Sequence, residues 1–425
     1  MNRCRYAANE PAPAPDGLAG RRVDVAVVGG GPAGSATALL LARAGRDVLL
    51  LDARTFPRPK PCGDYLNPVG AQALAHLGLD GALADVSLPL RGMVIVSPGG
   101  REVVAPFPAG QGLSVPRDAL DAALLQAASG AGVEVRTGVP VIGIDGHGGA
   151  WTGAPRRGTW RVETPLGRVE ARVLVGADGY RSRVAAAAGL GGAGPRRGRF
   201  ALALRVRGLR TRPGYAEMHL AHDAYCGVSA FPDGWANVTP VLAPRGLDRR
   251  VRRDPAALDT VLARFPRLHT RLRQPGVEVA PGWRAVGPLG FWRRRPAGPG
   301  VVLVGDAAGF VDPLTGQGVT LALAGAVRAA RVIDAALAHG LEGHPQAFAP
   351  YVRWHRRRYA FLSVFLGTVD AVALRPALIE PIVAAWARWP ALASAFLGLI
   401  GGRAAGPATV HDTGIGWLAA CRRRA

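Results

Sequence analysis

A glycine-rich turn near the start of the chain restricts the fold more than any other feature. Residues 29–34 read GGGPAG and lie between an apolar run at 23–28 and an Ala- and Leu-rich segment at 32–44 whose spacing is helical. A second apolar run follows at 47–51, so the order is strand, turn, helix, strand, which defines a βαβ unit. The sequence therefore predicts a lobe with a parallel sheet that opens with this unit.

The residues of this turn have separate roles if a dinucleotide binds there. Gly29 allows the tight turn, Gly31 lets the backbone approach a pyrophosphate, and Gly34 lets the helix pack closely against the strand. We expect the pyrophosphate to contact the helix N-terminus at Ala33, where free amides and the helix dipole favour negative charge. Asp52, at the end of the second strand, is placed to accept hydrogen bonds from the adenosine ribose.

A second segment, almost three hundred residues later, distinguishes between dinucleotides. Residues 304–310 read VGDAAGF, and residues 312–318 read DPLTGQG. A helix is predicted at 314–337, so it begins inside the second of these motifs. A strand that ends in a Gly-Asp turn can place a carboxylate on ribityl hydroxyls, and the amides of the next helix can face the electron-rich edge of a flavin. The two segments together predict FAD. The candidate contacts in the second segment are Gly305, Asp306, Pro313, Gly316 and Gly318.

The remaining patterns predict a second lobe and a helical end. Short alternating runs at 88–104 and 200–241 are typical of antiparallel strands. We predict an α/β fold (α+β lobes), in which a Rossmann-like FAD-binding lobe is interleaved with an antiparallel-sheet substrate lobe and followed by C-terminal helices. The expected FAD-binding domain comprises 21–87, 109–190 and 296–340, and the substrate-binding domain comprises 88–108 and 191–295. Residues 1–20 form a predicted flexible tail, and 341–425 a helical region.

Composition excludes several classes of partner and site. The formal net charge of +22 would favour nucleic acid, but all basic residues except Lys60 are arginines scattered through an Ala-, Gly- and Pro-rich chain, so we expect no nucleic-acid binding. The cysteines at 4, 62, 226 and 421 form no CxxC pair, which argues against a metal site and a disulfide framework. No signal-peptide core and no apolar run of spanning length occur, which predicts a cytoplasmic protein.

Three motifs, in this order, resemble the flavoproteins with the para-hydroxybenzoate hydroxylase fold. They are GGGPAG at 29–34, VGADGYRS at 175–182 and LVGDAAGFVDPLTGQG at 303–318. The resemblance implies that Asp178 and Gly179 lie near the cofactor pyrophosphate, and that Arg117, which opens a predicted helix, reaches the FAD. Because no second dinucleotide fold is visible, NADH or NADPH would bind only transiently as the electron donor.

Residues 59–68, PKPCGDYLNP, look like the PKxCG segment of geranylgeranyl-reductase-like proteins. In that family the segment passes over the flavin face, so Cys62 and Gly63 are candidate substrate-pocket residues. Archaeal lipid reductases of the family carry YxWxFP in the substrate lobe, whereas here Tyr225, Phe231 and Pro232 have a different spacing with no Trp between them. These three are also candidate pocket residues, and their altered spacing leaves the substrate open.

Two enzymatic functions are consistent with these motifs. The first is reduction of a C=C bond in an isoprenoid or similar apolar substrate, with hydride from the flavin and a proton from Tyr65 or water. The second is hydroxylation of an aromatic or polyketide-type substrate by a flavin monooxygenase. Halogenation is disfavoured, because halogenases of this fold carry WxWxIP and an active-site lysine, and no Trp-x-Trp occurs here. A non-catalytic flavin-bound scaffold is the third alternative.

Other properties stay open at this point. No catalytic residue and no oligomeric state can be assigned from the sequence. The apolar segments 361–366 and 389–400 have two interpretations: they are buried helices that cover the core, or they contact a membrane peripherally.

Overall fold

The computed structural model of the protein describes residues 17–146, 159–192, 198–243 and 254–401. The described strands, in chain order, are β1 (Arg21–Val28), β2 (Val48–Asp52), β3 (Tyr65–Leu66), β4 (Leu88–Leu90), β5 (Gly92–Val96), β6 (Glu102–Pro106), β7 (Gly112–Ser114), β8 (Glu134–Thr137), β9 (Gly143–Gly146), β10 (Trp160–Thr164), β11 (Gly167–Gly176), β12 (Arg199–Arg207), β13 (Tyr215–Ala221), β14 (Ala224–Ala230), β15 (Trp235–Leu242), β16 (Glu278–Val279), β17 (Arg284–Leu289), β18 (Trp292–Arg293), β19 (Ala297–Gly298), β20 (Val301–Leu303) and β21 (Gly309–Phe310). The described α-helices are α1 (Pro32–Arg43), α2 (Pro68–Leu77), α3 (Asp80–Leu83), α4 (Arg117–Gly130), α5 (Arg183–Ala187), α6 (Pro255–Leu262), α7 (Pro266–Leu272), α8 (Gly318–Ala338), α9 (Ala349–Ala373), α10 (Pro376–Arg388) and α11 (Pro390–Ile400).

The first sheet has the parallel core predicted from the glycine turn. Its parallel strands follow the order β20, β11, β1, β2, β8, with β19 antiparallel to β20 at one edge. Strand β10 pairs antiparallel with β11, and β9 pairs antiparallel with β10. Both faces of β1 and β2 are buried, which explains why their sequences are continuous apolar runs. Helices α1, α4 and α8 pack together over this sheet. The Rossmann-like lobe is therefore confirmed.

The second sheet follows the order β16, β12, β15, β14, β13, β5, β6, with β17 also paired to β12. All of its pairs are antiparallel, as predicted, except that β5 runs parallel to β13. The alternating pattern did not predict this pair, because alternation identifies a strand and not the direction of its neighbour. Helices α6 and α7 cover one face of the sheet, and α10 and α11 pack against β6.

The helix predicted at 314–337 begins later than expected. Pro313–Thr315 form a 3₁₀ turn, and Gly316 follows with a φ of 63°, so the α-helix begins at Gly318. A residue in the left-handed region cannot continue a right-handed helix, which separates the turn from α8.

The predicted N-terminal tail is described only from residue 17 onward. Leu18 is buried, and its N–H donates a hydrogen bond to the carbonyl of Leu166, so this part of the expected tail packs against the first lobe. Residues 1–16 and the last part of the predicted helical region, 402–425, lie outside the described residues. The domain boundaries given above stay a prediction.

Candidate active site

A cavity of about 690 Å³ lies between the two large sheets and collects most of the predicted site residues. The first lobe contributes the glycine turn, the 305–318 segment and Arg117, and the second sheet contributes strand residues from β12 to β15. Gly34, Phe231 and Pro232 do not line the cavity. Most of the predicted site residues therefore line one cavity, and these three do not.

The glycine turn has the close contacts that its spacing predicts. A Cβ on Gly34 would lie 1.9 Å from the carbonyl oxygen of Gly29, and a Cβ on Gly29, whose φ is 108°, would lie 2.4 Å from that of Ala177. A Cβ on Gly31 would meet only Arg58 Nη2, at 3.9 Å. Gly34 thus serves helix packing, whereas the space beside Gly31 opens at the N-terminus of α1, where a pyrophosphate fits.

Asp52 is fixed by the backbone around it. Its Oδ2 accepts a hydrogen bond from the N–H of Gly30 at 2.7 Å, and its Oδ1 accepts one from Arg54 at 2.8 Å. Arg58 Nη2 lies 3.4 Å from Oδ2, and both side chains line the cavity. Arg58 was not predicted, because it occurs in an irregular Pro-rich stretch where spacing carries no signal.

Asp178 and Gly179 form a turn on the cavity wall. The Asp178 carboxylate accepts hydrogen bonds from Ser182 Oγ at 2.5 Å and from the N–H of Arg183 at 2.6 Å, at the start of α5. Gly179 has a φ of 83°, which an L-residue rarely adopts. The carboxylate therefore orders the turn whose backbone faces the cavity, and the role near a pyrophosphate that the resemblance implied stays a prediction.

The 305–318 segment supplies a concave wall with one unsatisfied hydroxyl. Gly305 and Gly316 are both left-handed, and a Cβ on Gly316 would lie 2.5 Å from Cδ1 of Tyr65. Thr315 is 5% exposed and its Oγ1 has no hydrogen-bond partner among the described residues. Because buried hydroxyls are normally paired, this one fits the polar edge of a bound flavin. The other predicted residues of the segment, Asp306, Pro313 and Gly318, line the same wall.

Arg117 anchors the segment that carries Cys62. Its guanidinium forms a two-point ion pair with buried Asp121, with N–O distances of 3.0 and 3.1 Å, and its backbone N–H donates a hydrogen bond to Asp64 Oδ1 at 3.1 Å. Burial alone would lower the pKa of Arg117, but Asp121 and Cys62 together raise it well above its usual range. Arg117 therefore stays charged on the cavity wall, close to the segment that resembles PKxCG.

The Cys62–Asp64 segment is also tied to the second sheet. The carbonyl of Cys62 accepts hydrogen bonds from Asn237 Nδ2 at 2.6 Å and Thr239 Oγ1 at 3.2 Å, and Asp64 Oδ2 pairs with Arg205 Nη1 at 2.7 Å. Burial raises the pKa of Asp64 to about 6, against the opposing effect of Arg205. Asn237, Thr239 and Arg205 were missed. Their signal was a polar side chain at alternate positions of a buried strand.

Only some of the predicted substrate-pocket residues line the cavity. Cys62, Gly63 and Tyr225 line the cavity. Phe231 is buried beneath the guanidinium of Arg205, which lies 4.7 Å from the ring centroid, and Pro232 follows it beyond the end of β14. Phe231 and Pro232 follow the end of β14 and are not among the residues that line this cavity, and their role in substrate binding stays a prediction.

Comparison with known proteins agrees with these features. Residues 22–347 match the family model described as FAD binding domain. Menaquinone reductase from Mycolicibacterium smegmatis is 30% identical over 394 residues, which cover 85% of this chain and 90% of that protein. Digeranylgeranylglycerophospholipid reductase from Thermoplasma acidophilum is 28% identical over 347 residues, which cover 79% and 84%.

The solved structures add the fold. A flavin-dependent brominase aligns with a TM-score of 0.74 at 19% identity, covering 95% of this chain and 98% of that one. The predicted resemblance to geranylgeranyl-reductase-like flavoproteins is thus confirmed, and the chain belongs to the FAD binding domain family as an FAD-dependent oxidoreductase.

Proposed function

We propose that this enzyme reduces a C=C bond in the isoprenoid part of an apolar molecule. The observation that carries the proposal is sequence likeness: two relatives that each cover more than three quarters of the chain are named reductases, of menaquinone and of digeranylgeranylglycerophospholipid. The cavity supports it, because the wall formed by the second sheet includes Met93, Met218 and Val241, which suit a hydrocarbon.

The chain's own residues supply the cofactor site and a proton. FAD, when bound, supplies the hydride, and the residues that would hold it are those of the glycine turn, Asp52 and the 305–318 wall. Tyr65 lines the cavity, and burial raises the pKa of its hydroxyl far above neutrality, so the hydroxyl keeps its proton. The hydroxyl is thus a proton source on the cavity wall, although burial makes it a weaker acid than an ordinary phenol, so the assignment rests on its position. We therefore assign the role of proton donor to Tyr65.

The electron donor is part of this proposal. We propose that NADH or NADPH reduces the flavin from the same cavity, because the two large sheets of the described chain are already assigned to FAD and substrate. No separate nucleotide fold is then needed.

An assay in air and under anaerobic conditions tests the reaction. The holoenzyme is supplied with NADPH and a prenylated naphthoquinone, and the product is extracted in air, which reoxidises any quinol. We expect a product two hydrogens heavier than the substrate in both conditions. A product one oxygen atom heavier that forms only in air would support the monooxygenase alternative and overturn the reductase.

We also propose that the enzyme works in the cytoplasm at the surface of a membrane. Among the described residues no single helix is long and apolar enough to cross a bilayer, although α9 and α10, which meet at 95°, pass that test together by length and composition. Val364 on α9 is 72% exposed and Trp389 after α10 is 58% exposed. Arg353 and Arg357, also exposed, precede Val364 on the same face of α9.

Liposome flotation tests this contact. We expect the protein to float with vesicles that contain phosphatidylglycerol, and the double variant Val364→Ser, Trp389→Ser to float far less. Thr260→Ser, an exposed α6 position, is the matched control. A wild-type protein that stays at the bottom of the gradient would remove the proposal.

A further inference from the structure

The second sheet presents an open patch of backbone to the cavity. On β14, Tyr225, Gly227 and Ser229 line the cavity, whereas Cys226 packs into the core with α6 and α7; Val228 belongs to that core and also borders the cavity. Gly227 lies in the middle of this strand, and a Cβ placed on it would meet no atom within 4 Å. Glycine inside a strand costs stability and often marks the close approach of a ligand.

Gly227 leaves a gap between the side chains of its neighbours on the two adjacent strands. Thr239 on β15 and Met218 on β13 lie opposite Gly227 in the two adjacent strands. The Thr239 hydroxyl points to the carbonyl of Cys62 at 3.2 Å, so it is already engaged. Asn237, opposite Ser229 on β15, is likewise engaged, because its Nδ2 donates to the carbonyl of Cys62 at 2.6 Å. A planar group could therefore lie directly on the Gly227 backbone.

Ser229 adds a hydrogen-bond donor at the edge of the patch. The side chain is only 2% exposed and lines the cavity, yet its hydroxyl makes no hydrogen bond to the described residues. A hydroxyl without a partner among the described residues that opens on a cavity is available to a polar atom of a ligand. The expected ligand atom is an oxygen acceptor held close to the patch.

The charges of the second sheet disfavour an anionic head group here. Arg199 on β12 is paired with Asp312 at 3.0 Å and with Asp370, and Arg205 is paired with Asp64 at 2.7 Å. Each arginine is therefore already neutralised by a carboxylate. A phosphate placed against this face would gain little from either cation.

We propose that Gly227 and Ser229 form the subsite for a flat, neutral ring that carries a carbonyl oxygen, so that the substrate is a prenylated quinone. The ring lies on the Gly227 backbone, the Ser229 hydroxyl donates to its carbonyl, and the isoprenoid tail occupies the apolar remainder of the cavity. This assignment rests on the proposed function, because it names the head group of the substrate reduced there.

Two probes separate the ring from the tail. The oxidised holoenzyme is titrated with unprenylated 1,4-naphthoquinone and with geranylgeraniol, which has no ring, and binding is followed by the change in flavin absorbance. Gly227→Val fills the patch with a side chain that strands accept. We expect it to weaken naphthoquinone binding about tenfold or more and geranylgeraniol binding about threefold or less.

Ser229→Ala gives the second, independent variant. It removes one neutral hydrogen bond and leaves the strand intact, so we expect naphthoquinone binding to weaken about fivefold. Thr260→Ala, which removes an exposed hydroxyl on α6 that donates to the carbonyl of Ala256, is the control and is expected to change neither affinity. Equal losses for both probes in Gly227→Val, or no loss in Ser229→Ala, would overturn the subsite.

The outcome is distinguishable from failure of the proposed function. If the wild-type enzyme binds naphthoquinone but saturates no C=C bond, the subsite is supported and the proposed reductase activity is contradicted. If it binds geranylgeraniol and not naphthoquinone, the subsite is contradicted and the proposed reductase activity is not.

Discussion

The hydroxyl of Tyr225 donates a hydrogen bond of 2.6 Å to Oδ1 of Asp312. The same Oδ1 accepts the N–H of Leu314, and Oδ2 accepts Arg199 Nη1 at 3.0 Å. Burial, followed by the charge of Asp312, raises the pKa of Tyr225 well above its usual range, so the hydroxyl keeps its proton. One carboxylate thus connects the substrate sheet to the turn at 313–315 that faces the cofactor side of the cavity.

We predict that Tyr225→Phe weakens FAD binding. The turn loses a hydrogen bond to a charged group, which is worth about tenfold in affinity. Titration of apoprotein with FAD, followed by flavin fluorescence, measures the dissociation constant. Tyr215→Phe, at a position near Arg91 outside the cavity, is the control and should leave it unchanged. An unchanged dissociation constant in Tyr225→Phe would separate this tyrosine from the cofactor.

Two glycine variants distinguish helix packing from cofactor space. Gly31→Val places its methyl groups in the open space beside Arg58, so we predict a folded apoprotein whose FAD affinity falls about a hundredfold or more, because the pyrophosphate can no longer approach. Gly34→Ala instead forces α1 away from Gly29 and should lower the melting temperature of the apoprotein itself. Thermal unfolding and FAD titration of both variants check this, with Gly130→Ala, where a Cβ meets nothing, as control. An apoprotein destabilised equally by both changes would contradict the distinction.

Asp64 gives a dependence of stability on pH. Its pKa is raised from 3.8 to about 6, mainly by burial, so the folded protein takes up this proton at a higher pH than the unfolded chain does. Protonation of Asp64 therefore stabilises the folded protein fully only below the pKa of the unfolded chain, 3.8, and this stabilisation is lost as the pH rises through about 6. Between about pH 7 and pH 4, wild type should gain about 2 kcal/mol relative to Asp64→Asn. Urea unfolding of both proteins across this range measures the difference, and parallel curves would refute the prediction.

Tyr65→Phe tests the proton donor. Loss of a general acid should lower kcat for C=C reduction about a hundredfold, with little change in KM, because the ring and its packing against Gly316 remain. Anaerobic reduction of the flavin by NADPH should proceed at the wild-type rate. Stopped-flow absorbance gives the second rate and product analysis the first. A variant with unchanged kcat would leave water as the donor.

The sequence predicted the elements whose cause is local and missed those whose cause is tertiary. The turn at Gly29–Gly34 and the strand before it were predictable, because backbone geometry and continuous burial both leave a pattern in the sequence. The position of Phe231 was not, because alternation cannot show where β14 ends. The ties from Asn237 and Thr239 to Cys62 join residues about 175 positions apart, and no spacing rule covers such a distance.

The predicted site residues show the same difference between local and tertiary causes. Arg117 was expected at the cofactor and does line the cavity, but its two-point pair with Asp121, one helical turn away, fixes it in the wall. Thr315, whose buried hydroxyl has no hydrogen-bond partner among the described residues, was not predicted, because its motif was interpreted from the glycines.

A single-turnover experiment tests the central claim most directly. Holoenzyme whose FAD has been reduced with dithionite is mixed without oxygen with a prenylated quinone, and the extract is exposed to air before mass analysis so that any quinol returns to quinone. We predict one product molecule per FAD, two hydrogens heavier than the substrate, formed as the flavin absorption band returns. Recovery of unchanged substrate after the flavin has reoxidised would contradict C=C reduction.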